Sequence, residues 1–391
     1  MEETEVAVIG AGLSGLCAAL SLARLGRRVT IIDRKCSLDQ RVHTTGIFVR
    51  RTLEDFYIPE EMLGPAVRDV VLYSPAGRAL GLRSEHPEFR VGRMGAIYNA
   101  LVERARRAGV EVMLGTRFDS IERVGSGGSR VRLSTGARTR TLDARLVIGA
   151  DGARSRVSDA LGLSRNRACI VGAEHVYEST RRVLPPTFHC YLSARYAPGY
   201  LAWVIDDGAE MHVGVGGYAR RFNANQALSE FTGLVGERFE LDPSRLIEKR
   251  GGLVPVGGVL KRIACDGGLL VGDAAGAVSP LTAGGLDPCF RLSAHAAEVA
   301  DAFLRTGDAR VLRAYDGGRM RTRFISRLWM RRALSMLQSD LATEAACMMM
   351  RTPIGRLAAH HVFFGRGSFP DVSRNESASG IGRAWVQPFE C

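Results

Sequence analysis

The sequence predicts an α/β fold: a three-layer domain on a parallel sheet, with a second, α+β domain built on an antiparallel sheet. Three observations predict it. The chain opens on a strand–turn–helix, Val6-Ala7-Val8-Ile9-Gly10-Ala11-Gly12-Leu13-Ser14-Gly15-Leu16. From about 165 to 260 the pattern changes to alternating strands, clearest at 189–192, 200–205 and 211–215. Leu269-Leu270-Val271-Gly272-Asp273 then returns to a buried strand, and a long helix follows from about 285 to 305. Antiparallel strands segregated from βαβ units make a second layer that covers a ligand.

The opening segment carries the sharpest signal. Gly10, Gly12 and Gly15 stand at G-x-G-x-x-G spacing. The first permits the tight turn, the second lets a pyrophosphate approach the backbone, and the third lets helix and strand close on each other. The helix start offers free N–H groups and partial positive charge to phosphates. A second apolar strand, Val29-Thr30-Ile31-Ile32, ends in Asp33, followed by Arg34. That carboxylate lies where it would accept from a ribose hydroxyl, roughly 20 residues after the glycines.

The next elements follow in order. A loop rich in Arg and Thr is expected over 34–50, and 70–80 reads as a hairpin around Pro75-Ala76-Gly77. A helix is predicted over 95–108, with Gly109 as its stop and a strand over 110–114. Strands at 130–133 and 139–142 flank a Ser-Thr-Gly-Ala turn, and 146–149 is a further buried strand running into Asp151-Gly152. Residues 310–365 read as helical and methionine-rich, and the last 25 as a loosely packed tail.

Composition narrows the class. With 391 residues, 46% hydrophobic and 24% charged, the chain is that of a globular protein of up to two domains. No stretch approaches the roughly 18 apolar residues of a membrane span. The acidic start Met1-Glu2-Glu3-Thr4-Glu5 lacks a secretory signal's basic and apolar regions, so a cytoplasmic location is expected. Eight cysteines show neither C-x-x-C pairs nor ligand spacing, so no disulfide framework and no metal are expected. They read as small packed residues, with Cys190 and Cys289 falling near the substrate-side segments. The net charge of +12 comes from 50 arginines and three lysines, without a nucleic-acid-binding motif, so nucleic acid is not an expected partner.

Two later segments complete the set: Gly149-Ala150-Asp151-Gly152-Ala153-Arg154-Ser155-Arg156-Val157, and Gly272-Asp273-Ala274-Ala275-Gly276 continuing to Pro280-Leu281-Thr282-Ala283-Gly284-Gly285-Leu286. In the second, a strand ends in Gly-Asp and a Gly-Gly pair opens a helix. A carboxylate there binds sugar hydroxyls, and the second helix start favours an anionic group. Two such helix starts on one sheet suit a ligand with a pyrophosphate at one end and a ring that becomes anionic at the other, which describes FAD.

These three motifs, in this order, resemble those of FAD-dependent enzymes of the para-hydroxybenzoate hydroxylase type, whose nucleotide domain is of the glutathione-reductase type. The resemblance covers roughly 5–305. Within that superfamily the chain is most similar to the geranylgeranyl reductases. They carry Y-x-W-x-F-P, six residues, then V-G-x-G; here Tyr200-Leu201-Ala202-Trp203-Val204-Ile205-Asp206 precedes Val213-Gly214-Val215-Gly216. Leu201 stands where the family has Tyr and Asp206 where it has Pro, while Gly276 is reductase-like where hydroxylases place His. Ser158 stands where the Asp151-Gly152 motif ends in Arg.

The resemblance implies a flavin site residue by residue. Gly10, Gly12, Ser14 and Gly15 meet the pyrophosphate, and Asp33 and Arg34 the adenosine end, with the backbone at Arg117 near adenine. Thr44, Thr45 and Arg93 lie toward the flavin or ribityl chain. Asp273 lies in the ribityl or phosphate region and Gly285 and Leu286 at the isoalloxazine, and Asp151, Gly272, Pro280 and Gly284 are further cofactor-binding positions. NAD(P)H or another reductant is implied as electron donor. Substrate-cavity candidates are Trp203, Tyr200 and Cys289, and no catalytic residue is assigned. His175 and His189 read as structural residues of the covering sheet.

The expected activity is reduction of C=C bonds in an apolar, isoprenoid or lipid-like substrate. A flavin monooxygenase of an aromatic or olefinic molecule, and a non-catalytic prenyl-binding flavoprotein, are the alternatives. The expected division is an FAD-binding domain from 1–75, 90–162 and 260–310, a substrate sheet from 76–89 and 163–259, and a helical C-terminal segment over 311–391. Arg319, Arg323, Arg327 and Arg331 recur every four residues within 319–334, beside Met320, Phe324 and Leu328. Both a solvated arginine face and a helix lying on an anionic membrane fit that pattern.

Overall fold

The computed structural model describes residues 2–40, 42–124, 127–179 and 185–365, and the expected tail lies outside them. The first sheet runs β16 (Ala264–Cys265), β17 (Gly268–Leu270), β10 (Arg138–Gly149), β1 (Glu2–Ile9), β2 (Val29–Ile32), β7 (Glu111–Met113). From β17 through to β7 the pairs are parallel, with Val8 opposite both Ile31 and Ile148. β1 and β2 are buried on both faces, which is why they read as unbroken apolar runs rather than alternating ones. Helices α3 (Met94–Arg107) and α6 (Leu286–Thr306) both pack against α1 (Leu13–Arg24), which buries Leu13, Leu16, Ala19, Leu20 and Leu22. The hairpin β8 (Arg117–Val124) and β9 (Gly128–Thr135) adds to β10; α4 (Arg156–Ala160) lies against β8, and α7 (Ala309–Arg313) against α6 and β16.

The second sheet has seven strands, in the order β15 (Leu246–Pro255), β11 (Cys169–Glu178), β14 (Glu210–Gly217), β13 (Ala202–Asp206), β12 (Thr187–Tyr191), β4 (Asp69–Tyr73), β5 (Ala79–Arg83). It is antiparallel throughout except for β12 and β4, which run parallel. Helix α5 (Ala224–Gly236) buries Ala227, Leu228, Phe231 and Val235 against one face, with Phe231 edge-on to Tyr191 at 5.1 Å. A small pair, β3 (Ile47–Val49) and β6 (Phe89–Val91), precedes and follows α2 (Arg50–Asp55) and the hairpin. Helices α8 (Gly318–Arg323), α9 (Ile325–Met336), α10 (Asp340–Met350) and α11 (Pro353–Phe364) end the described chain. None of its helices is long and apolar enough to cross a membrane.

Four expectations change. The strands read at 139–142 and 146–149 are one, β10: half-buried Asp143 and exposed Arg145 break the apolar run but not the backbone ladder with β1, which runs from Leu142 to Gly149. The loop expected over 34–50 ends in β3. The boundary expected at 75 cuts a hairpin whose two strands both belong to the second sheet. The arginine stripe over 319–334 is broken at Phe324, between α8 and α9, and Arg327 and Arg331 turn inward, 4% and 3% exposed. A spacing of four keeps side chains on one helix face but does not say which face is wet.

Candidate functional site

The first part of the site is the groove at the ends of β1 and β17. Gly10 has φ +106°, and a Cβ there would fall on the Ala150 carbonyl; a Cβ on Gly15 would fall on the Gly10 carbonyl. Glycine is therefore required at both for strand and helix to meet. A Cβ on Gly12 would meet nothing within 4 Å, and Gly12 starts α1 without a side-chain cap, so the first N–H groups face open space. Asp33 is fixed beside them: Oδ2 accepts from Ala11 N–H at 2.7 Å and Oδ1 from Lys35 N–H at 2.8 Å. Thr116 N–H donates to the Asp33 carbonyl at 2.9 Å, which sets Arg117 next to it.

Asp273 closes the other end. Its main chain is held by Asn166, whose Nδ2 donates to the Asp273 carbonyl at 2.8 Å, but its carboxylate has no hydrogen-bond partner among the described residues. Desolvation alone pushes its pKa up to about 6. Gly285 lies 3.6 Å from Asp273 Oδ1, measured from the Cβ it lacks, and begins α6 with no side-chain cap. An uncapped helix start at each end, and carboxylates with capacity left over at Asp33 and Asp273, fit the pyrophosphate, the hydroxyls and the electron-accepting ring of FAD. The residues present therefore fit the group.

The second part is a cavity of about 1020 Å³ between the second sheet and the C-terminal helices. Its inner end is formed by Thr44, Thr45 and Gly46, by Ser279, and by Leu281 through Leu286. Its walls are largely apolar, from Ile47, Phe89, Phe188, Leu201 and Trp203 to Leu334, Met350 and Phe363. Met330, Met349 and Ile354 both line it and are exposed, so it opens among α9, α10 and α11. The motif's glycines have a physical role here. A Cβ on Gly214 would fall on the Trp203 ring, and one on Gly216 would crowd the Tyr200 ring at 2.6 Å. The two glycines are the flat floor on which those rings lie.

Trp203 and Tyr200 are pinned at their polar ends. Trp203 Nε1 donates to Glu174 Oε2 at 3.0 Å, and the Tyr200 hydroxyl donates to the Thr282 carbonyl at 2.6 Å. The Thr45 hydroxyl also donates to Glu174. Glu174, 4% exposed on β11, lies within 3.4 Å of both His212 Nδ1 and Arg250 Nη1. Burial acts to raise the Glu174 carboxyl, but the bonds from His212 and Thr45 and the charge of Arg250 hold it below the usual range. On the far side of His212, Nε2 is 3.5 Å from Asp207 Oδ2. Burial works against a charged His212, yet Asp207 and Glu174 outweigh it and push its pKa up to about 9.

The structure brings Thr44, Thr45, Gly284, Gly285, Leu286, Tyr200 and Trp203 around one cavity. It moves Cys289 away from it: the thiol is buried behind α1, with Sγ 2.8 Å from Ser14 Oγ, because Cys289 faces the nucleotide domain from the first turn of α6. Cys190 is likewise wholly buried in a core, under the second sheet. Asp151 spends its carboxylate within the chain, accepting from Ser155 Oγ at 2.6 Å and from Arg156 and Val157 N–H. Ser158 is buried in the same cap, leaving no room for a long cation. Arg93 lines a separate polar cleft with Asp39, Asp207 and Arg250, while Arg34 is exposed and Pro280 buried. The sequence reading missed Glu174, Asp207, His212 and Arg250, because polar residues that a strand or turn carries into the interior leave no spacing signal.

The FAD binding domain family matches residues 3–201 of this chain. A digeranylgeranylglycerophospholipid reductase of Methanothermobacter thermautotrophicus is 30% identical over 341 residues, 84% of this chain and 82% of that one. A geranylgeranyl diphosphate reductase of Rhodobacter capsulatus is 29% identical over 326 residues, 80% of this chain and 79% of that one. Among solved structures, a geranylgeranyl bacteriochlorophyll reductase-like protein of Thermoplasma acidophilum superposes with a TM-score of 0.80 at 21% identity, over 94% of this chain and 98% of that one. The glycine cradle, the carboxylates at its two ends and these similarities agree: the chain belongs to the geranylgeranyl reductase family of FAD-dependent oxidoreductases.

Proposed function

We propose that this protein reduces C=C bonds of an isoprenoid chain lying in the apolar cavity. The observation that carries the reading is the run of apolar wall from the Gly284-Gly285 end of the cavity to exposed Met330, Met349 and Ile354. Its volume is at the upper end of the roughly 300–1,000 Å³ of ordinary ligand pockets, and its few polar groups gather at the inner end. Gly10, Gly12, Ser14 and Gly15 cradle the pyrophosphate, Asp33 the ribose, and Asp273 with Gly284, Gly285 and Leu286 the ribityl and ring end. Held by these residues, FAD would supply hydride chemistry, with NAD(P)H or another donor as its source of electrons. Trp203 and Tyr200, fixed by Glu174 and the Thr282 carbonyl, hold the chain in register, and the apolar walls exclude water. Positioning of this kind supplies much of a rate enhancement.

The test is an anaerobic one. Protein reduced under argon is mixed with a polyprenyl lipid, and flavin absorbance and product mass are followed. Reoxidation without oxygen and a gain of two hydrogens support the reading. Reoxidation only after oxygen is admitted, with a gain of one oxygen, replaces it with the monooxygenase.

The opening of the cavity favours an anionic lipid surface as its partner. Trp329, Met336, Leu341, Met349, Ile354 and Leu357 are exposed on α9, α10 and α11, around the residues that line the opening. Exposed Arg332, Arg351 and Arg356 lie among them, with Arg332 stacked 4.8 Å over the Trp329 ring. Apolar side chains interleaved with arginine are the composition of a surface that rests at a headgroup boundary.

A further inference from the structure

Reducing an alkene needs a proton as well as a hydride; of the two carboxyl groups lining the cavity, Asp287 is paired with Arg291, and Glu174 adjoins a histidine that can supply one. Glu174 is a carboxyl group lining the cavity wall, next to Thr45 and Trp203. Behind it, His212 is 2% exposed, with one ring nitrogen toward Glu174 and the other toward Asp207. A neutral imidazole would set a lone pair against one of those carboxylates; only the doubly protonated ring donates to both. The geometry thus holds a proton in store between two acids.

His212 and Asp207 also line a second, polar cleft of about 510 Å³, while Glu174 lines the apolar cavity. The cluster therefore spans the wall between them. Facing His212 are Glu174 from β11 and, from the turn before and the start of β14, Asp207 and Glu210, the latter 3.9 Å from Nε2. Arg250 from β15 touches Glu174 and Glu210, and Asp39, Arg93 and Glu248 complete the charged groups of the cleft. Burying so many charges is seldom the stabilising choice for a sheet, since apolar side chains of the same volume serve as well or better.

We propose that Asp207, His212 and Glu174 form a proton relay from the polar cleft to the cavity, with Glu174 as the carboxylate that hands the His212 proton to the substrate. The inference rests on the reductase reading above. The two electrons and one hydrogen arrive as the hydride at one carbon. Glu174 is ionised at rest; it takes the proton that His212 stores and passes it to the other carbon, so that an N–H bond of His212 breaks, the carboxyl O–H is transient, and a C–H bond forms. His212 recovers a proton from cleft water by way of Asp207. The alkene gains two hydrogens, one flavin hydride is consumed, and one proton is drawn from solvent. His212 and Asp207 are positioning and supply residues, since neither reaches the apolar cavity.

The experiment uses the FAD-loaded protein, reduced anaerobically and mixed with a polyprenyl lipid that oxidises the wild type. Glu174→Gln should bind flavin and be reduced as the wild type is, yet be reoxidised by the lipid at least about 100-fold more slowly, the size of a lost general acid. In the wild type, the same rate should fall as pH rises through about 9. Imidazole NMR signals of the flavin-free protein give a second reading: His212 should titrate near 9, and in Glu174→Gln clearly lower. An unchanged rate in Glu174→Gln overturns the relay and leaves the reductase reading standing. So does a wild-type rate flat from pH 7 to about 10, which needs no variant to fold. A wild type that the lipid fails to oxidise removes the reductase reading and the relay with it.

Discussion

Asp273 is the residue whose position is hardest to explain without a ligand. Its folded-state pKa of about 6 lies above the ordinary 3.8, so ionisation opposes folding: the cost is absent below about 3.8 and complete above about 6. Asp273→Asn should therefore raise the melting temperature of flavin-free protein at pH 7 and weaken FAD binding, read by thermal melts and flavin fluorescence titration. A melt unmoved at pH 7 would show that the carboxylate is well solvated. His212 has the opposite sign. Its value is raised from 6.5 to about 9, so its contribution is whole below about 6.5 and is lost as pH rises through about 9. Melts from pH 6 to about 10 should show the wild type losing stability over that window and His212→Asn losing less. Gly214→Ala tests the floor under Trp203: the added methyl displaces the ring and breaks its bond to Glu174, a cost of about 1–3 kcal/mol by the usual price of overpacking.

At the level of elements, the glycine-led turn, the first two strands and α1 were legible because each rests on local rules: β-branched runs, glycine where φ is positive, an apolar helical stripe. The pairing of β4 with β12 was not, since a parallel contact between residues 69–73 and 187–191 leaves no trace in either segment. Nor was the direction in which Arg327 and Arg331 point. Arg327 Nη1 donates to Ser279 Oγ at 2.9 Å beside the cavity's inner end, and Arg331 lies 5.1 Å from both the Tyr200 and Tyr218 rings. An arginine stripe that reads as wet is here half internal. The surface for lipid shifts accordingly toward α10 and α11, and a triple change of Trp329, Ile354 and Leu357 to Ser should cut co-sedimentation with anionic vesicles several-fold. Equal sedimentation of the two proteins would remove that surface from consideration. On α5, Phe231→Ala opens a hole against β14 and should cost about 3–5 kcal/mol in chemical denaturation.

Over the whole molecule, the site is assembled from segments hundreds of residues apart, and the sequence displayed its nucleotide half far better than its substrate half. The reason is physical. A dinucleotide is gripped by backbone, which only certain spacings of glycine and acid permit, whereas an apolar chain is held by surfaces that many side chains can build. The acids and the imidazole between cavity and cleft come from β11, β14 and the turn before it, and only the sheet register brings them together. FAD links the two halves energetically: loading at about 1,000 times its dissociation constant should stabilise the fold by about 4 kcal/mol, and removing it should lower the melting temperature in step. The order of the strands has one more result. The backbone passes between the two sheets four times, after β2, β5, β10 and β15. Neither sheet is thus a detachable piece, and a protease that nicks any single passage should yield two fragments that stay interleaved and elute together until denaturant separates them.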